Sequence, residues 1–162
     1  MPEPFLHLDL PDADATTRLG ETLAPQLGPG DVLLLEGPIG AGKTHFARAL
    51  ITARLAARGE VEDIPSPTFT LVQVYGAEPE IWHADLYRLS HPDEAIELGL
   101  EDAFDEAICL IEWPERLGDL TPAKALTLRF EATPGGETRR VALSGPPAWA
   151  ARLSALKGTQ DG

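Results

Sequence analysis

A three-layer α/β domain, with a mixed central sheet flanked by helices, is the fold the sequence predicts, and three observations predict it. First, the apolar β-rich run Asp31-Val32-Leu33-Leu34-Leu35-Glu36 is followed by a glycine-rich turn and then by Thr44-His45-Phe46-Ala47-Arg48-Ala49-Leu50-Ile51, which opens a helix: a strand–turn–helix unit of the kind that builds parallel sheets. Second, Ala107-Ile108-Cys109-Leu110-Ile111 is apolar throughout, as expected of a strand covered on both faces. Third, two pairs of β-rich segments are joined by short turns, which adds antiparallel hairpins and makes the sheet mixed.

The elements follow in order. Residues 12–27 are predicted helical, with Asp12 or Asp14 as cap, Ala15, Leu19 and Leu23 at four-residue spacing, and Gly28-Pro29-Gly30 as the stop. The helix after the glycine-rich turn continues to about Arg58, with Gly59 ending it. A loop with two prolines, 60–67, leads to a strand from Phe69 to Tyr75, a turn near Gly76 to Pro79, and a strand Ile81 to Asp85, a hairpin in which His83 sits on an edge strand. Residues 92–98 form a short helix capped from the neighbourhood of Ser90 or His91 and ended by Gly99. Leu126–Phe130 and Thr138–Leu143 alternate around Pro134-Gly135-Gly136 and form the second hairpin; the Ala-rich tail from Pro146 is helical to about Leu156 and frayed from about 158. The 162 residues make one domain.

The turn itself, Gly37-Pro38-Ile39-Gly40-Ala41-Gly42-Lys43-Thr44, matches the phosphate-binding pattern G-x-x-x-x-G-K-[ST] at every fixed position, which specifies a P-loop NTPase-like domain. Glycines let backbone N–H groups turn toward a phosphate where a Cβ would obstruct them. The helix N-terminus adds its free N–H groups and positive dipole end. Lys43 supplies a point charge to the β- and γ-phosphates and the Thr44 hydroxyl a ligand for Mg²⁺. Only three lysines, against ten arginines, occur in the chain, and one of them stands in this loop. Mg²⁺–ATP chemistry needs a further carboxylate at the end of a buried strand, and two acids qualify: Glu112 after Ile108–Ile111, and Asp85 after Ile81–Ala84. Thr68, between the loop helix and the next strand, either senses the γ-phosphate as part of a switch or belongs to a proline turn. Trp82 and Trp113 read as core or rim aromatics rather than base-stacking platforms, His83 as a packed ring and Arg88 as a surface group.

Charge and composition narrow the function. A formal net charge of −13 opposes a direct grip on nucleic acid or anionic lipid, so neither DNA nor membrane is an expected partner and Arg139-Arg140 reads as a solvated strand face. Asparagine is absent, which excludes an N-K-x-D guanine-reading motif and leans base choice toward adenine. The lone Cys109 excludes an internal disulfide, no stretch approaches the roughly 20 apolar residues that span a bilayer, and Met1-Pro2-Glu3-Pro4 is unlike a signal peptide; a cytoplasmic protein is expected. His7, His45 and His91 form no metal-ligand spacing with Cys109.

Together, Gly37–Thr44, Ser66-Pro67-Thr68-Phe69-Thr70-Leu71-Val72, His83-Ala84-Asp85-Leu86-Tyr87-Arg88-Leu89, Glu97-Leu98-Gly99-Leu100-Glu101-Asp102 and Ile111-Glu112-Trp113-Pro114-Glu115-Arg116 closely resemble, in order and spacing, the TsaE (YjeE) family. The resemblance covers about residues 12–117 and is loose beyond 120. It implies a bacterial P-loop ATPase required for threonylcarbamoyladenosine at position 37 of tRNAs that read codons starting with A. It implies TsaB and TsaD as partners, TsaC-type enzymes as suppliers of threonylcarbamoyl adenylate, tRNA met only through the complex, and an ATP cycle that resets the machine rather than transferring the group. By the same resemblance the cofactors are ATP and Mg²⁺, and the nucleotide site is formed by Gly37, Pro38, Ile39, Gly40, Ala41, Gly42, Lys43, Thr44 and His45. Lys43 binds phosphate, Thr44 and Glu112 hold the metal, Asp85 is an essential carboxylate near the γ-phosphate, Ser66, Pro67, Thr68 and Phe69 form a switch-like segment, and Thr16 lies near the base. Pro38 and Ile39 stand where the family usually has Asp and Leu, and His45 where Thr is common. A small-molecule kinase shares loop, metal ligand and size but calls for an Arg-bearing lid, and no cluster of arginines lies between two predicted helices. A nucleotide-dependent switch with negligible turnover is the third possibility.

Overall fold

The computed structural model describes residues 3–38, 42–59, 71–76, 79–132 and 138–154. In chain order the elements are β1 (Leu6–Leu10), α1 (Ala13–Leu23), a 3₁₀ turn (Ala24–Gln26), β2 (Val32–Glu36), α2 (Lys43–Ala56), β3 (Val72–Tyr75), β4 (Ile81–Asp85), α3 (Asp93–Glu97), α4 (Leu100–Glu106), β5 (Ile108–Glu112), a 3₁₀ segment (Pro114–Leu120), β6 (Leu126–Ala132), β7 (Arg139–Ser144) and α5 (Pro147–Arg152). The strands form one seven-stranded sheet in the order β1-β7-β6-β2-β5-β4-β3. Its centre, β6-β2-β5-β4, is parallel, and β3, β7 and β1 add on antiparallel at the two sides. The expected mixed sheet and both hairpins are present.

Period-two alternation in the central strands divides the core in two. Leu33 and Leu35 of β2 and Ile108 and Leu110 of β5 face α1 and α2, where they meet Leu19, Leu23, Phe46 and Leu50. Val32, Leu34, Cys109 and Ile111 face the other way, onto Leu100, Ala103 and Phe104 of α4 and onto Leu86, Leu89 and Leu117. Cys109 is the expected small core residue: burial pushes its thiol up to about 12. Helices α1 and α2 approach closely because α1 carries a glycine at the contact; a Cβ on Gly20 would stand 3.0 Å from Ala49 Cβ, Leu50 N and Phe46 O.

Several boundaries differ from expectation. The first helix is capped by Asp12, whose Oδ1 accepts the Ala15 N–H at 2.8 Å, and it tightens into a 3₁₀ turn at Ala24, where Pro25 follows. The loop helix ends at Ala56, two residues before Arg58; α5 spans Pro147–Arg152, and the expected helix end at about Leu156 and the tail from about 158 lie outside the described residues. β3 begins at Val72, and the expected start of that strand at Phe69 lies outside the described residues. α3 has no side-chain cap of the usual oxygen type; instead His91 Nδ1 accepts the Asp93 N–H at 3.1 Å. β4 is not an edge: β3 covers its outer side and β5 its inner one. Three elements were not anticipated: β1, α4 and the 3₁₀ segment Pro114–Leu120. No helix among the described residues is long and apolar enough to cross a membrane.

Candidate nucleotide site

The site gathers at the C-terminal ends of β2, β4 and β5, the end of a parallel sheet where a crevice forms. Where β2 ends, Gly37 turns at φ +138°, and a Cβ there would stand 2.5 Å from the backbone oxygen of Phe130 on β6. This glycine is therefore imposed by the neighbouring strand as well as by any ligand. Gly37→Ala should cost at least ~2 kcal/mol, since a forbidden backbone conformation costs ~1–3 kcal/mol and overpacking a similar amount. An unchanged urea midpoint would refute that. Pro38 is exposed, and Ile39, Gly40 and Ala41 lie outside the described residues. Gly42 is the left-handed N-cap of α2 at φ +104°.

Lys43 opens α2 and is 4% exposed. Its ammonium donates to the Gly37 carbonyl at 2.6 Å and lies 3.5 Å from the centroid of the Trp113 ring, a cation–π contact. Burial lowers its pKa, opposed by the charges of Glu112, Glu115 and Asp85. Next to it the Thr44 hydroxyl donates to Glu112 Oε1 at 2.7 Å. Glu112, 2% exposed at the end of β5, has its other oxygen, Oε2, 2.7 Å from Nε2 of the fully buried His83. Asp85 stands opposite Glu112 in the β4–β5 register and accepts the Tyr87 N–H at 3.1 Å. Burial raises the Asp85 pKa; the Tyr87 N–H works against the shift and the Glu112 charge adds to it.

These groups line a cleft of about 380 Å³ floored by Gly42, Lys43 and Thr44 and walled by His45, Asp85, Glu112 and Trp113, within the size range of small-molecule sites. His45 is exposed, and its Nε2 lies 2.7 Å from Thr17 Oγ1 on α1. Because that hydroxyl already donates to the Ala13 carbonyl at 3.1 Å, the histidine N–H is the donor. Thr16 is buried on α1 with its methyl group 4.0 Å from where a Gly42 Cβ would be, so it packs behind the loop. Ser66, Pro67, Thr68 and Phe69 lie outside the described residues.

Sequence reasoning brought Lys43, Thr44, Glu112 and Asp85 to one place and missed two neighbours. His83 is a partner of Glu112 rather than simply a packed ring. Trp113 is a rim aromatic, as expected, yet its ring also seats the Lys43 ammonium, stacks against Tyr87 with centroids 4.9 Å apart, and turns on a left-handed backbone (φ +60°), the only non-glycine positive φ among the described residues. The signal for His83 was its spacing two residues before Asp85 on a strand, which puts both on one face. Trp82 packs on the second core, Arg88 is exposed, and Arg140 pairs with Asp9 across β7 and β1 at 3.1 Å.

The donor set suits a hard cation held with a polyphosphate. No group of three or more His, Cys, Asp or Glu among the described residues could hold a metal alone. Thr44 and Glu112 instead offer two converging oxygens, the sparse protein share with which Mg²⁺ is bound when phosphates and waters complete its shell. A strand leading through a glycine-rich turn into a helix that opens with Lys-Thr, beside acids at the ends of parallel strands, defines a P-loop NTPase-like domain.

Comparison with known proteins narrows this class. The family model described as "Threonylcarbamoyl adenosine biosynthesis protein TsaE" matches residues 10–141, and the chain belongs to the TsaE family. Similar proteins named tRNA threonylcarbamoyladenosine biosynthesis protein TsaE come from Rickettsia conorii, 42% identical over 74% of this chain and 67% of the relative, and from Mycobacterium tuberculosis, 35% identical over 80% and 81%. A third, from Treponema pallidum, is 33% identical over 76% and 90%. Among solved structures, Bacillus subtilis YdiB superposes with a TM-score of 0.78 at 25% identity, over 98% of this chain and 97% of that one.

Proposed function

We propose that the chain binds ATP with Mg²⁺ in the Lys43–Glu112 cleft and hydrolyses it as a component of the machinery that forms N6-threonylcarbamoyladenosine at position 37 of tRNA, acting with TsaB and TsaD and resetting their complex between rounds. The observation that carries this reading is the Thr44–Glu112 pair, 2.7 Å apart beside the buried Lys43. Lys43 would meet the β- and γ-phosphates, exchanging the Gly37 carbonyl for phosphate oxygens, while the N-terminus of the 14-residue α2 points its dipole at them. Thr44 and Glu112 would hold Mg²⁺, which supplies charge neutralisation on the phosphate oxygens. Asp85, at the end of β4 and opposite Glu112 in register, is assigned to turnover.

Two expectations test the assignment. Thr44→Ala should cut Mg²⁺-dependent ATP affinity roughly tenfold or more, the usual scale for a lost metal-site partner, and leave affinity in EDTA nearly unchanged. Equal losses in both buffers would count against the metal role. Among the described residues, no arginine lines the cleft to neutralise the γ-phosphate in the transition state. The purified chain should therefore release phosphate slowly and bind tRNA poorly at −13 net charge, and accelerate when TsaB and TsaD are added. Equal phosphate release with and without the two partners would refute partner-dependent activation.

A further inference from the structure

Among the described residues one buried polar side-chain atom has no hydrogen-bond partner, Nδ1 of His83. We infer that His83 is a positioning residue: its Nε2–H holds Oε2 of Glu112 so that Oε1 stays turned toward Thr44 and the metal position. The inference rests on the nucleotide–metal reading for its consequence, and on strand geometry for its basis.

Along β4 the side chains alternate, with Ile81 in the core under α1 and α2 and Trp82 and Ala84 in the opposite one, so His83 and Asp85 share the α2 side of the sheet. Glu112 is on that side too, two positions beyond Leu110, and pairs in register with Asp85. His83, across from Leu110, thus sits one pleat below the carboxylate and reaches it from beneath, while Thr44 reaches it from α2. Each oxygen has its own partner at 2.7 Å.

The two partners differ in permanence. A carboxylate only accepts, so the shared proton belongs to His83 Nε2. Nδ1 is buried without a partner, so Glu112 is the one hydrogen-bond partner of the ring among the described residues. Thr44, by contrast, must turn its hydroxyl hydrogen away from Glu112 for both oxygens to face a cation. At that moment His83 is the group that keeps a 2%-exposed carboxylate from rotating or losing its hydrogen bonds. Partners of this kind orient the groups that bind a metal, and their loss typically costs 10–100-fold in metal affinity.

The test uses the full-length chain. In the wild type, long-range ¹H–¹⁵N spectra of the free protein should show a proton on His83 Nε2; an unprotonated Nε2 overturns the proposal. By calorimetry, His83→Leu should lose at least about tenfold of the affinity gain that Mg²⁺ gives ATP, with affinity in EDTA unchanged. His83→Gln, whose amide nitrogen can occupy the place of Nε2, should restore most of the gain. Should the leucine variant fail to fold, the wild-type spectrum and the glutamine variant decide: a folded glutamine variant that gains no more from Mg²⁺ than Glu112→Gln overturns the role. The two failures look different. If Mg²⁺ adds nothing to wild-type affinity, the nucleotide–metal reading has failed and the proposal falls with it, whereas an undiminished gain in His83→Leu overturns the positioning role alone.

Discussion

Lys43→Ala should lower ATP affinity at least about a hundredfold while leaving the fold as stable as before. The ammonium is assigned to two phosphates, and charge-assisted contacts are worth ~1.5–3 kcal/mol each, so losing both removes at least ~3 kcal/mol. The backbone N–H groups and the helix dipole that remain carry only partial charges. Stability responds otherwise. Burial already pulls the Lys43 pKa down, a sign that the fold holds this charge at a cost. Its removal also frees the Trp113 face and the Gly37 carbonyl to meet solvent in the cleft. Titration calorimetry beside a thermal melt checks both halves; affinity within twofold of wild type would refute the assignment of the loop.

Asp85→Asn should leave ATP affinity close to wild type and cut partner-stimulated turnover on the order of 10²–10⁴-fold, the range for loss of a positioned acid–base group. Asparagine keeps an oxygen to accept the Tyr87 N–H, so the local turn survives. The pH dependence of stability gives a second check. Burial raises the folded-state pKa of Asp85 above its ordinary 3.8, so the folded protein favours the protonated acid. That contribution is fully present below the ordinary value and is lost as pH rises through the raised one. The stability of Asp85→Asn relative to wild type should therefore grow over the same interval and then level off. Full partner-stimulated hydrolysis in Asp85→Asn would remove it from the catalytic role.

What could be read from the sequence is what short range decides. The Gly37–Thr44 pattern declares its turn and the helix after it because the chemistry of each position is local. The all-apolar β2 and β5 declare burial on both faces, and the acids that follow Ile111 and Ala84 are then placed at the sheet's C-terminal end. What long range decides was not legible. Nothing adjacent to Lys43 says that Trp113, on another strand's exit, will seat its ammonium, nor that Phe130 will press its carbonyl on Gly37. β1 did carry a signal, since Leu6, Leu8 and Leu10 alternate with His7 and Asp9 and are buried in that pattern, but five residues with one apolar face have no meaning until a partner strand is known. α4 is short and acid-rich, and only its Leu100, Ala103 and Phe104 at helical spacing betray the buried stripe. For the histidine under Glu112, the spacing from Asp85 gives the shared face, and the contact with Glu112 becomes legible only with the register of β4 against β5.

The pairing of β1 with β7 sets an order on synthesis. β1 precedes every other described strand, yet β7, the strand it joins, follows all of them, with Asp9 and Arg140 separated by 131 positions in the ion pair that links the two. β2, the middle of the sheet, likewise has no neighbour until β5 and β6 emerge. During translation α1 and α2 can dock on each other, but the leucines of β2 wait uncovered, and distant pairings of this kind slow folding and expose chains to aggregation. A chain stopped just before residue 139 would leave β1 without the strand it pairs with.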